Sequence, residues 1–315
     1  MKNFVYSVYA ALKEEKNNER LIRSEEFEKN RIEAEIVRNV HSIEKGLSIK
    51  APRLGFGVKK INEMFSLVER YTELCDEISV LYFVVDAVKE YLCFHESAGF
   101  DSPELTAIKH KNAELEQKIG GHEGKYGGTL TVNKQDMTVD SAEIEKLLNS
   151  RHSVRDFSGE PVPEELLRHA IELAQRVPSA CNRQAVRIYS VSAKDYVKVA
   201  GTLDGIGGFA EDADRFLLIT GVRSAYRRGE KNQFAVSAAM FAAYLTISLQ
   251  AFGIGACTVQ HSLVTTEAFE KIRSAYSIPR DEQTVVTLAI GMMKDQMTVP
   301  VSKRHSLDKI YTRLG

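Results

Sequence analysis

Apolar residues in the first third of the chain recur at helical spacing. Phe4, Val5, Val8 and Leu12 form one such set, and Ile32, Ile36, Val40 and Ile43 a second. A third stretch, Ile61 to Phe94, carries Met64, Phe65, Val68, Tyr71, Leu74, Leu81, Val84 and Tyr91. Ser102-Pro103 is a helix opening, a capping hydroxyl followed by proline at the first helical position, and that helix should run to about Ile119. The run from Gly120 to Gly128 then breaks the pattern and reads as a linker or mobile loop. It is not a phosphate-binding loop: three residues separate Gly120 from Gly124, and no Ser or Thr follows Lys125.

After Ser141 helices and strands alternate. Ala142–Asn149 and Pro163–Arg176 read as helices, and Val186–Ser192 and Phe216–Gly221 as strands rich in branched and aromatic residues. Gln233–Phe252 is a long helix, apolar on nearly every side, which should be buried all round, by a monomer core or by a dimer interface. Ala256–Val259 and Thr284–Ile290 follow as buried strands, with a helix at Glu267–Tyr276 between them. The expected division is a helical region 1–119, a glycine-rich linker 120–140 and a mixed region 141–315.

Composition narrows the function. A formal net charge of −1, with both signs mixed along the chain, gives no reason to expect nucleic acid or an anionic membrane as a partner. The four cysteines are scattered without CxxC pairing, which suits reduced thiols in a cytoplasmic protein. The N-terminus lacks a signal-peptide pattern, and the most apolar run, Ile78 to Val88, is broken by Asp86 and too short to span a bilayer.

Four short elements carry candidate chemistry. Arg151-His152-Ser153-Val154-Arg155 places two guanidinium forks and a hydroxyl within five residues, a donor set suited to phosphate oxygens, although such a run also fits a solvated turn. Pro178-Ser179-Ala180-Cys181-Asn182-Arg183-Gln184 combines small residues with amides that suit the edge of a flat polar heterocycle, or simply a turn after a helix. Cys181 has no recognisable His or Asp partner and reads as a packing residue. The third element is Gly253 to His261, the fourth Ser302-Lys303-Arg304-His305-Ser306-Leu307 near the C-terminus. His41 and Glu44 share a helix face, but one HxxE makes no metal site, and a helix end capped by Gly46 is the expected role of that segment.

In order and spacing these four elements resemble the nitroreductase superfamily of FMN enzymes, over roughly residues 141–315. Arg151, His152, Ser153 and Arg155 match its first motif, and Pro178, Ser179, Asn182 and Gln184 its second. Lys303, Arg304 and Leu307 match its basic pair before a terminal tail. The resemblance implies an α+β fold, a mainly antiparallel central sheet flanked by helices with a helical region in front, acting as a homodimer. It implies that Arg151, Ser153 and Arg304 hold the FMN phosphate with Lys303 nearby, and that His152 lies along the phosphate and ribityl chain. Arg155 would sit near the pyrimidine edge. Ser179, Ala180 and Asn182, flanked by Pro178 and Gln184, would reach a flavin of the partner subunit. Thr258, Gln260 and His261 would pass the N5 side.

The flavin itself would do the chemistry, so no dedicated general base and no metal is expected. The implied reaction is two-electron transfer from NAD(P)H to a small acceptor of nitroaromatic or quinone type. Alternatives are a flavin-dependent dehydrogenase or dehalogenase of a specific metabolite, or a flavin-binding protein without enzymatic activity. The chain departs from the family at Ala185-Val186, where Pro-Trp is usual, at His261, where glycine often stands, and over Thr202–Asp212, where the family's flavin-contacting Asn has no clear match. The front half lies outside the pattern and is expected to cover the site, with His41 to Leu47 as the contact.

Overall fold

A computed structural model of the protein describes residues 25–200, 206–227, 229–230, 232–259 and 267–314. The expected helix at Phe4–Leu12, and Gln260 and His261, lie outside the described residues.

Four helices make up the front of the described chain: α1 (Glu25–Leu47), α2 (Val58–Leu74), α3 (Ser79–Ser97) and α4 (Pro103–Ile119). The apolar spacing dictates what they bury. Ile32, Ile36, Val40 and Ile43 of α1 meet Ile61, Met64 and Val68 of α2, Leu81, Val84 and Tyr91 of α3, and Ile108 of α4 in one core. The sequence read Ile61–Phe94 as one stretch. The chain instead turns at residues 75–78, where Cys75 N–H closes α2 on the Tyr71 carbonyl. Helix α4 starts as expected, with Ser102 Oγ accepting from Leu105 N–H at 3.3 Å. Gly46 does not cap α1. It lies inside the helix, and a Cβ there would fall 2.1 Å from the Phe56 ring, so its role is to let that ring reach the backbone.

The glycine-rich segment is not free. Tyr126 N–H donates to Asp86 at 2.7 Å, Gly128 N–H to Glu44 at 3.2 Å and Thr129 N–H to Glu90 at 3.1 Å, so residues 126–129 are laid along α3 and the end of α1.

The second half is built on four antiparallel strands, β1 (Val186–Ser192), β2 (Arg215–Val222), β3 (Ile254–Val259) and β4 (Glu282–Met292), in the order β1-β2-β4-β3. The central strands are buried on both faces, which explains their unbroken apolar runs. Leu217, Ile219, Leu288 and Ile290 point to one face, under α6 (Glu164–Ala174) and α8 (Gln233–Ala251). Phe216, Leu218 and Ala289 point to the other, under α7 (Ala193–Ala200) and α9 (Glu267–Ala275), where Tyr196 stacks on Phe216 at 4.0 Å. The architecture is α+β with a helical region in front. Helix α5 (Ser141–Ser150), capped by Asp140, packs on α8.

Helix α8 differs from the expectation of burial all round. Ala238, Phe241, Leu245 and Leu249 sit on the sheet, whereas Val236, Ala239, Met240, Ala243 and Tyr244 form an exposed apolar stripe. By length and composition it is the one helix among the described residues that could cross a membrane, yet its inner face is core.

Candidate functional site

Glycines in the sheet determine how the first motif sits. A Cβ on Gly255 would fall 2.8 Å from Val154, and one on Gly291 would fall 2.7 Å from Phe157. Both positions must stay bare for the segment after α5 to cross the sheet. That segment then bonds to the strands. Val154 N–H donates to the Ala256 carbonyl at 3.0 Å, and Ser158 N–H to the Met292 carbonyl at 2.9 Å. Ser153 pairs beside Ala256 in parallel register, so Arg151, His152 and Ser153 are held half-buried along β3.

Arg155 reaches the next residue of the strand. Its guanidinium lies over the Phe209 ring at 6.0 Å and acts electrostatically on Cys257. Burial raises the Cys257 thiol above its ordinary value, and Arg155 offsets part of that shift. Thr258 is the one exposed residue of β3. The first and third sequence elements are thus brought together.

The second element is a tight turn leading into β1. Asn182 N–H donates to the Ser179 carbonyl at 3.0 Å, and Gln184 N–H to Ser179 Oγ at 3.1 Å. Cys181, Asn182 and Gln184 all take left-handed φ, between 51° and 55°. Ser179 and Gln184 also close one end of a groove of about 550 Å³ between α6, β1 and α8, floored by Ile171, Ile188 and Phe241. A groove of about 610 Å³ in the helical bundle is the larger one, but it is shallow and its charges are already paired, Lys125 with Glu90 and Lys89 with Glu116.

This turn lies at the β1 edge and the Arg151–Arg155 segment at the β3 edge, with β2 and β4 between them. Three strand spacings amount to roughly 14 Å. Within one chain the two polar clusters therefore stay apart. Arg304 is not gathered with either: its Nη1 turns back to the Ser302 carbonyl at 2.6 Å, in a tail that is exposed throughout residues 301–314.

Sequence matching places this frame. Residues 148–203 match the nitroreductase family model, a stretch that includes both the Arg151–Arg155 segment and the Pro178–Gln184 turn. Over these residues the chain is similar to the nitroreductase family. An FMN reductase (NAD(P)H) of Bacillus subtilis is 36% identical over 76 residues, which cover 24% of this chain and 30% of that protein. The chain therefore matches less than a third of the length of that curated relative. Among solved structures, a nitroreductase-like protein of Streptococcus mutans is 17% identical, covering 56% of this chain and 100% of that one, with a TM-score of 0.48. An FMN-dependent nitroreductase of Clostridium difficile is 18% identical, covering 54% of this chain and 98% of that one, with a TM-score of 0.46.

One contact of the candidate site was missed by the sequence reading. The Pro178–Gln184 turn is met by α1, through Ala34 rather than through His41 to Leu47. Ala34 packs with Ala185, Val222 and Ala225. Asn30 donates to Asp281 at 3.1 Å, and the Arg227 guanidinium forks onto Glu35 at 2.8 and 2.7 Å. His41 and Glu44 instead face each other at 3.8 Å at the far end of the helix, where Glu44 holds Gly128. On α1 a small residue and two polar ones look like a solvent face, so no signal in the sequence marked this contact.

Proposed function

We propose that the protein is an FMN-dependent oxidoreductase that takes electrons from NAD(P)H and passes them to a small organic acceptor of nitroaromatic or quinone type. The observation that carries this reading is the Arg151–Arg155 segment, fixed to β3 inside a stretch of nitroreductase-family sequence. The donor set fits the cofactor. Two guanidinium groups, an imidazole and a hydroxyl at one edge suit a phosphate and its chain, and the Asn182 and Gln184 amides at the other suit a heterocycle edge. When bound, FMN would supply the two-electron chemistry.

The residues of this chain bind and tune. Arg151 and Ser153 would hold the phosphate with Arg304 and Lys303, and His152 would lie along the chain beyond it. Arg155, over the Phe209 ring, would keep a positive charge beside β3. Thr258, and Gln260 with His261 after it, would border the same side.

Because the two clusters sit on opposite edges of one sheet, a single bound flavin needs two copies. Ser179, Ala180 and Asn182 of one copy, carried on the turn between Pro178 and Gln184, would complete the site of the other. The exposed stripe of α8 supports a two-fold pairing of this kind. The helical front region would border the site through α1 and restrict the size of acceptor.

Purified protein should be yellow, and NADH or NADPH should bleach it in stopped-flow. Arg155→Ala should slow that bleaching by about tenfold, the loss of one charge contact, while changing FMN affinity less. No bleaching with either donor would end the NAD(P)H reading.

A further inference from the structure

Left-handed φ at a residue other than glycine costs about 1–3 kcal/mol, and the Cys181–Gln184 turn has it at three of four positions. Its surroundings must hold that shape. The centre of the turn is Arg183, whose side chain is 2% exposed. Its Nη2 bonds Glu230 at 2.9 Å, and its guanidinium lies over the Tyr226 ring at 5.0 Å. Nε and Nη1 are buried and meet no acceptor among the described residues. A buried guanidinium with idle donors is a poor source of stability compared with an apolar side chain of similar volume. What Arg183 offers instead is a connection.

That connection continues outward. Glu230 accepts the Arg227 backbone N–H at 2.9 Å, and the Arg227 guanidinium forks onto Glu35 of α1. Arg38, one turn along α1, holds the same carboxylate at 2.5 Å. Burial raises the Glu35 carboxyl, but the bonds from Arg227 and Arg38 overcome it and bring it down to about 2, so this link stays charged. Ala34 packs on Ala185, just after the turn.

We infer that Glu35, Arg227, Glu230 and Arg183 form a positioning relay through which the helical front half sets the shape of the Pro178–Gln184 turn. None of the four needs to touch a ligand. The relay stands on geometry alone, and only its effect on cofactor binding rests on the function proposed above.

The test uses the full chain. Backbone hydrogen exchange over residues 178–185 is measured in flavin-free protein, and FMN affinity is measured by fluorescence quenching. Glu35→Gln should speed exchange of the Asn182, Arg183 and Gln184 amides about tenfold and weaken FMN several-fold. Glu35→Asp should restore part of both. Asn30→Ala cuts a separate polar contact of α1, to Asp281, and should leave the turn unchanged. In an Arg183→Met background, Glu35→Gln should add nothing further.

Unchanged exchange in Glu35→Gln would overturn the relay, and so would equal acceleration in Asn30→Ala or full additivity with Arg183→Met. A turn that loosens while FMN affinity holds would keep the relay and remove the turn from the cofactor site. Protein that takes no FMN at all would sink the proposed function and leave the exchange data to decide the relay.

Discussion

The helical front and the sheet region close their cores differently. In the front region the large apolar side chains left outside, Ile49, Leu54, Leu74 and Ile78, are scattered over helix ends and turns. In the sheet region they line up. Val236, Met240 and Tyr244 stand on one side of α8, and Ile144 and Leu148 on the neighbouring α5. Single exposed apolar residues are ordinary, whereas contiguous ones mark a surface that expects cover. The difference teaches that the bundle leaves only scattered apolar residues outside, whereas the sheet region leaves a stripe of them on one helix.

The strongest way to break this comparison is to charge the stripe. Met240→Asp with Tyr244→Asp should turn a dimer into a monomer in sedimentation velocity, weakening association by about 100-fold or more, and should release FMN with it. A variant that stays dimeric would mean that the stripe faces something other than a second copy. A smaller effect should come from the bundle. Gly46→Val would drive a side chain into the Phe56 ring and cost about 2–3 kcal/mol. Hydrogen exchange should then quicken in α1–α3 before it quickens in β2 and β4. Equal loss in both would show that the two regions unfold as one.

The smallest effect sharpens the seam between them. Glu33 and Glu35 lie two residues apart on α1 yet shift in opposite directions. Burial raises Glu33, a shift that Arg187 only partly offsets, while Glu35 is held at about 2. A depressed carboxylate stabilises above its unfolded value, and that contribution fades as pH falls from about 4.5 towards 2. A raised one contributes at low pH and loses that contribution as pH rises through its folded value. At pH 7 Glu35→Gln should therefore lower the melting temperature, while Glu33→Gln should leave it level or raise it. Acidification from about 4.5 towards 2 should progressively remove the difference due to Glu35. The reverse ranking at pH 7 would refute the assignment.

Much of the sheet was legible in the sequence because branched and aromatic runs have no competing local reading. Val186–Ser192 forms a strand at the positions expected, and β2, β3 and β4 extend only one or two residues beyond their apolar centres. Helix α7 was not, since Ala193-Lys194-Asp195-Tyr196 reads as a polar connection until Tyr196 finds Phe216. The break at residues 75–78 was hidden because the apolar period before it continues after it. At the site, Gly255 and the basic run lay inside elements read from the sequence, but the role of Gly255, like that of Gly291, lies in residues far from it, Val154 and Phe157. The contact of α1 with the turn had no local signature at all. Arg227 and Glu35 are 192 residues apart, and each alone looks solvated.

The distance along the chain between α1 and its partners also has a consequence for synthesis. Asn30 meets Asp281 across 251 residues. At about 5–20 residues per second, a ribosome takes roughly 12–50 s to deliver the second after the first. During that interval the bundle can already be packed, with its docking face turned to water and to other nascent chains. A face of Asn30, Glu35 and Arg38 can wait in that state without recruiting the wrong neighbour, which a greasy one could not. The polar seam thus suits an order of assembly in which the front half emerges first and is joined last.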